Sequence, residues 1–198
     1  MSELLAFMHL GFRHITDPEA LDHILFLLAL AALYRGRDWR ALLWVVTAFT
    51  VGHSVTLALA VTSALRLPTP WIEFLIPLTI VITGLANMLA AGRPPGTGRR
   101  YRPVFAGMFG LVHGAGFANY LHSLFAGSIA VPLLGFNLGI ELGQLVVLAL
   151  AGLGLAGLDR ALRFLGRARP AAVRFRVLAV SAVVVIVAAE MAVARAPW

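Results

Sequence analysis

The stretch Ala41–Leu65, ALLWVVTAFTVGHSVTLALAVTSAL, is 25 residues long, and its single titratable side chain is His53. As a helix it reaches roughly 37 Å, enough to cross a hydrocarbon core of roughly 30 Å with some tilt. His53 is the thirteenth residue of the run. The reading that makes the segment a membrane span therefore also puts an imidazole near the bilayer midplane.

Comparable runs lie on either side. Leu21–Tyr34 precedes it, short unless Pro18–Ala20 form its first turn, and Trp71–Ala91, Val104–Ala126, Val131–Leu158 and Val177–Ala194 follow. Residues 1–198 thus read as a single all-α, polytopic membrane domain with about six spans, near 19–35, 41–65, 71–91, 104–126, 131–158 and 177–194. Composition agrees: 60% of the 198 residues are hydrophobic and 13% charged, against about 25% charged in a soluble domain. Ser2–Ile15 mixes Leu4, Leu5, Phe7, Leu10 and Phe12 with His9, Arg13 and His14. It reads as a short interfacial or partly inserted helix that ends before Pro18. Met1–Leu10 lacks the basic n-region of a secretory signal peptide, so no cleavage is expected there.

All 16 basic residues are arginine, and the net charge is +7. Arg35, Arg37 and Arg40 fall between the first and second spans, and Arg93, Arg99, Arg100 and Arg102 between the third and fourth. Arg160, Arg163, Arg167, Arg169, Arg174 and Arg176 fall between the fifth and sixth. The other two loops hold Arg66 alone. By the positive-inside rule the three arginine-rich loops are cytoplasmic and both termini lie outside. Arginine confined to loops is a topology signal, so nucleic acid is not an expected partner; the lipid bilayer is. The glycine repeats Gly107, Gly110, Gly114 and Gly135, Gly139, Gly143 supply close-packing helix faces, which also offer a route to a homo-oligomer.

Ionisable groups inside a span cost about 2.5–3.5 kcal/mol each, so each asks for a function or a partner. His53 and His113 are near mid-span. Asn137, Glu141 and Gln144 align on one face of the fifth span. Asp22 and His23 open the first span, with His14 just upstream. Glu73, His122 and Glu190 collect at the same, outer, ends of their helices. Each has a plainer reading: a histidine can bond a neighbouring helix, Glu73 and Glu190 can stay hydrated at an interface, and Asp22 can cap a helix. Together they resemble a path. Imidazole with carboxylate and amide oxygen, and no cysteine in the chain, suits nickel, cobalt or zinc rather than copper(I).

Four stretches, GFRHITDPEALDHILFLLAL (Gly11–Leu30), FTVGHSVTLALA (Phe49–Ala60), FGLVHGAGFA (Phe109–Ala118) and GFNLGIELGQL (Gly135–Leu145), resemble the HupE/UreJ family of bacterial membrane proteins, regarded as nickel/cobalt permeases. The resemblance implies a multi-pass inner-membrane carrier whose histidine–aspartate–histidine motif falls on His14, Asp22 and His23. Its histidines in the second and fourth helices fall on His53 and His113, and its polar fifth-helix stretch on Asn137, Glu141 and Gln144. Seven residues, Pro18 among them, separate His14 from Asp22, a longer spacing than the family pattern. The expected metal ligands are thus His14, Asp22, His23, His53, His113 and Glu141, with Glu73, His122, Asn137, Gln144 and Glu190 lining the path.

The expected function is uptake of a divalent transition metal, nickel or cobalt, by a protein that is not an enzyme. A membrane-embedded metalloenzyme would use the same cluster with an open water position. A proton-linked channel or small-molecule permease would use His53, His113 and Glu141 as a relay. The chain has no HExxH pattern and no nucleotide-binding motif.

Overall fold

A computed structural model describes residues 2–34, 38–62, 64–65, 68–92, 101–124 and 129–198, with side chains only to 117 in the fifth of its helices. Among the described residues there are seven α-helices and no strand: α1 (Glu3–Thr16), α2 (Leu21–Leu33), α3 (Trp39–Val61), α4 (Thr69–Ala90), α5 (Arg102–Leu124), α6 (Ala130–Phe164) and α7 (Arg169–Ala194). Four of them, α3, α4, α6 and α7, are long and apolar enough to cross a membrane by length and composition. With 23 residues, α5 has a similar length.

The N-terminal region, through Leu33, departs from a single short span. With 14 and 13 residues, α1 and α2 are each about 20 Å long, short of the hydrocarbon core. Asp17, the residue before Pro18, is extended (φ −63°, ψ 125°), because a proline ring disfavours helix in the residue it follows. The Asp17 carboxylate then accepts the Glu19 backbone N–H at 3.0 Å, a local turn that holds the break. The two half-helices follow one another along α6. The first lies beside Gly135, Gly139 and Gly143. The second contacts α6 further on, where Ala31 and Tyr34 share a cavity wall with Leu148, Leu155 and Asp159. The segment read as interfacial or partly inserted packs against α6 along one face, where Gly11 and Ile15 are buried.

Two helix pairs share one way of packing. Gly11 of α1 sits over the carbonyl of Phe136, and Gly139 of α6 sits over the carbonyl of Met8. Gly52 of α3 sits over the carbonyl of Gly107, and Gly110 of α5 over that of Phe49. In each pair a glycine lies three residues beyond the carbonyl, on its own helix, that the partner glycine faces, and the helices run parallel. These pairs make the two most extensive helix–helix contacts, with α4 against α7 next. The glycine faces expected to be available to a second copy are thus filled within the chain. A methyl at any of these four positions would strike backbone rather than a movable side chain.

The arginine-rich stretch between the last two helices is mostly helical. Arg160 and Arg163 are on α6, while Arg169, Arg174 and Arg176 are on α7, which starts well before Val177. The turn is a Schellman motif: Arg167 N–H bonds the Leu162 carbonyl at 3.1 Å, Gly166 N–H bonds that of Arg163 at 3.0 Å, and Gly166 has φ +82°. Pro170 then restarts the chain at the first turn of α7. Arginine and alanine are good helix formers, so the charged stretch continues both helices rather than ending them. Arg35, Arg37, Arg66, Arg93, Arg99 and Arg100 lie outside the described residues.

Candidate metal centre

The break between α1 and α2 delivers three side chains to one place. His14 is in the last turn of α1, and Asp22 and His23 are in the first turn of α2. His53, midway along α3, completes the group with no exposure at all. One ring nitrogen from each of His14, His23 and His53 lies within 4.8 Å of the others. The longer spacing between His14 and Asp22 is absorbed by the Asp17–Ala20 turn, and the His14 and His23 rings are 4.5 Å apart.

Hydrogen bonding decides which nitrogens are free. Asp22 Oδ1 lies 3.2 Å from His23 Nδ1. A carboxylate can only accept, so Nδ1 carries the proton and Nε2 keeps its lone pair. His23 Nε2, His14 Nε2 and both nitrogens of His53 are buried without a hydrogen-bond partner among the described residues. Buried polar atoms without partners are uncommon and ask for an explanation. A metal–nitrogen bond of about 2.1 Å sets neighbouring ligand nitrogens roughly 3.0–3.4 Å apart. The three imidazoles need close only by about 1.8 Å or less, a movement within reach of ring rotation. The residues therefore fit a divalent ion with nitrogen preference.

His113, 1% exposed, stands beside the triad rather than in it. Its ring is 5.5 Å from that of His23. Thr79 of α4 bonds the Ile76 carbonyl at 2.7 Å and lies 3.0 Å from His113 Nε2. With the hydroxyl proton on the carbonyl, Nε2–H donates to Thr79 Oγ1, leaving Nδ1 without a proton. The surroundings are aromatic. Phe117 stacks on Phe136 at 5.2 Å and meets the His14 ring at 4.1 Å, and the Phe26 and Phe49 rings are 5.3 and 5.2 Å from that of His113. Such a shell keeps water out and strengthens any charge interaction inside it.

The remaining expected residues divide. Gln144 is fully buried and its Oε1 accepts a 2.9 Å bond from Thr50 of α3. Asn137 is half-buried, and its Oδ1 has no partner among the described residues. Glu141 is exposed, as are Glu73 and Glu190. Glu141, expected among the metal ligands, therefore stands outside the group formed by His14, His23 and His53. The helix face it shares with Asn137 and Gln144 is broad, and its α1-facing side is taken by Gly139 and Gly143. The side chain of His122 lies outside the described residues.

Sequence reading missed Thr79, described above, and Arg195. Arg195, at the end of α7, lies 3.4 Å from Asp22 Oδ2.

No curated protein and no solved structure gave a match. The protein-family model described as HupE / UreJ protein matches residues 1–195, nearly the whole chain, and the three motifs that carry the histidines and the fourth that carries Asn137, Glu141 and Gln144 fall inside that range. The chain belongs to the HupE/UreJ family.

Proposed function

We propose that this protein carries a divalent transition-metal cation, nickel or cobalt, inward across the bacterial inner membrane. The observation that carries the reading is the convergence of three buried, unpartnered imidazole nitrogens at a break in a helix path. Half-helices that meet inside the bilayer are a common way to build an ion site at mid-depth. Asp22 and His23 receive the ion from the outer side, and His14 and His53 complete its shell. His113, Asn137 and Gln144 orient the ligands or take the ion's remaining waters.

The topology belongs to the same proposal. Taken as one broken span, α1–α2 gives six crossings with both termini outside. The helix directions support it. Contacts show α1 parallel to α6 and α3 parallel to α5. They show α4 antiparallel to α7, with Gly84 near Ser181 and Phe74 on Trp198. These directions are the ones that strict alternation requires. An inside-negative potential of about 100 mV favours inward movement of a doubly charged ion by roughly 4.6 kcal/mol, so import can run without ATP.

The test is nickel and cobalt uptake into proteoliposomes under an imposed inside-negative potential, for the parent chain, Asp22→Ala and His53→Ala. Saturable uptake lost in both variants, with unchanged elution in detergent, is the expected result. No uptake of either ion, with a metal held tightly through purification, would overturn it in favour of a metalloenzyme.

A further inference from the structure

The Asp22 carboxylate is bracketed by two cationic or proton-bearing groups from different helices. Oδ1 faces the His23 ring at 3.2 Å and Oδ2 faces Arg195 at 3.4 Å. The Asp22 side chain is 18% exposed and that of Arg195 37%. Arg195 is the C-cap residue of α7, and Trp198, three residues on, packs its ring 5.3 Å from that of Phe74 on α4. The chain end is therefore held near the site while the guanidinium, on a long stem, is only partly buried.

A guanidinium is charged at any working pH, has donors only and accepts nothing. It cannot ligate a metal, but it satisfies a carboxylate. A divalent ion held by His14, His23 and His53 puts two positive charges next to the same acid. Two cations then compete for one carboxylate, and they repel each other in a site walled by aromatic rings. We propose that Arg195 is a tethered counter-cation that holds Asp22 in the ion-free protein and is displaced when the divalent ion binds. It sets how tightly the ion is held and how readily it leaves. The inference rests on the proposed metal reading and gives the last helix a part in it. Arg195 is a positioning residue here, acting through Asp22.

The sign of the effect separates this role from a structural one. If Arg195 only clamped α7 to α2, its loss would loosen Asp22 and weaken metal binding. As a competing cation, its loss strengthens binding. The experiment is calorimetric titration of nickel and cobalt into the purified full chain in detergent. The parent, Arg195→Gln, Arg195→Met and Arg195→Lys are compared, each also with Asp22→Asn. Both neutral variants are expected to bind tighter by about ten-fold, a coupling of ordinary size, and to release the ion more slowly on chelation. Arg195→Lys keeps the charge and stays close to the parent. With Asp22→Asn nothing anchors the guanidinium, and the difference between Arg195 and Gln disappears. Binding by the parent that is unchanged or weaker in both neutral variants overturns the inference alone. No binding by the parent overturns the metal reading and takes the inference with it.

Discussion

Thr50 on α3 donates a 2.9 Å hydrogen bond to Gln144 Oε1 on α6, and neither side chain has appreciable contact with solvent. The bond joins one glycine-interlocked helix pair to the other, close to His53. Replacing Thr50 by Val keeps the shape and removes the donor, leaving a buried carbonyl oxygen unpaired at a cost of about 1–3 kcal/mol. Thermal unfolding in detergent should show Thr50→Val less stable than the parent and Thr50→Ser close to it. Equal stability of the Val variant would mean that the bond does not hold the pairs together.

Glycine substitution should divide sharply by position. A methyl at Gly110 would strike the Phe49 carbonyl, whereas one at Gly152 meets nothing within 4 Å. Gly110→Ala is expected to lose about 1–3 kcal/mol through forced backbone shifts. Gly152→Ala should be neutral or stabilising by up to about 1 kcal/mol, since alanine is the better helix former. Melting curves of the two variants, side by side, check both.

If the triad binds the ion, binding should stabilise the fold. At a free ion concentration of 100 times Kd the gain is about 2.7 kcal/mol, seen as a raised melting temperature with nickel or cobalt and reversed by a chelator. His53→Ala should abolish the rise. The ligand form of imidazole is neutral, so protons compete with the ion, and the rise should shrink as pH falls and return as it is raised. A melting temperature indifferent to metal at every pH would argue against the centre.

Arg176 carries a different load. It is 3% exposed, bonds Asp159 at 2.7 Å, and reaches the carbonyls of Ala32 and Tyr34, each at 3.2 Å. The last carbonyls of α2 thus receive a cation where the helix dipole favours one. Arg176→Met leaves Asp159 without its partner and should destabilise by roughly 3 kcal/mol. Asp159→Asn with Arg176→Met should recover part of the loss, as measured by a double-mutant cycle.

The sequence was most legible where length and chemistry coincide. Ala41–Leu65 announced both a span and an imidazole within it, and His14, Asp22, His23 and His53 do come together. What was hidden depended on partners distant in the chain. Hydropathy sees Leu21–Tyr34 as too short because it counts apolar residues, not the way two half-helices can share one track along α6. The helix-face argument for Glu141 failed because periodicity gives a direction but not which neighbour occupies it. Thr79 and Arg195 were invisible for the same reason: a threonine in a span and an arginine at its end acquire meaning only from His113 and Asp22.

The three triad histidines come from three different groups of helices. His14 is on the α1–α6 pair and His53 on the α3–α5 pair. His23 is on α2, which α7 grips near both ends through Arg195 and Arg176. An ion shared among them would act like a buckle across three straps. Drawing it tight pulls the groups together, and sliding any one group away opens the buckle. Letting go of the ion and changing the shape of the bundle would be a single mechanical event.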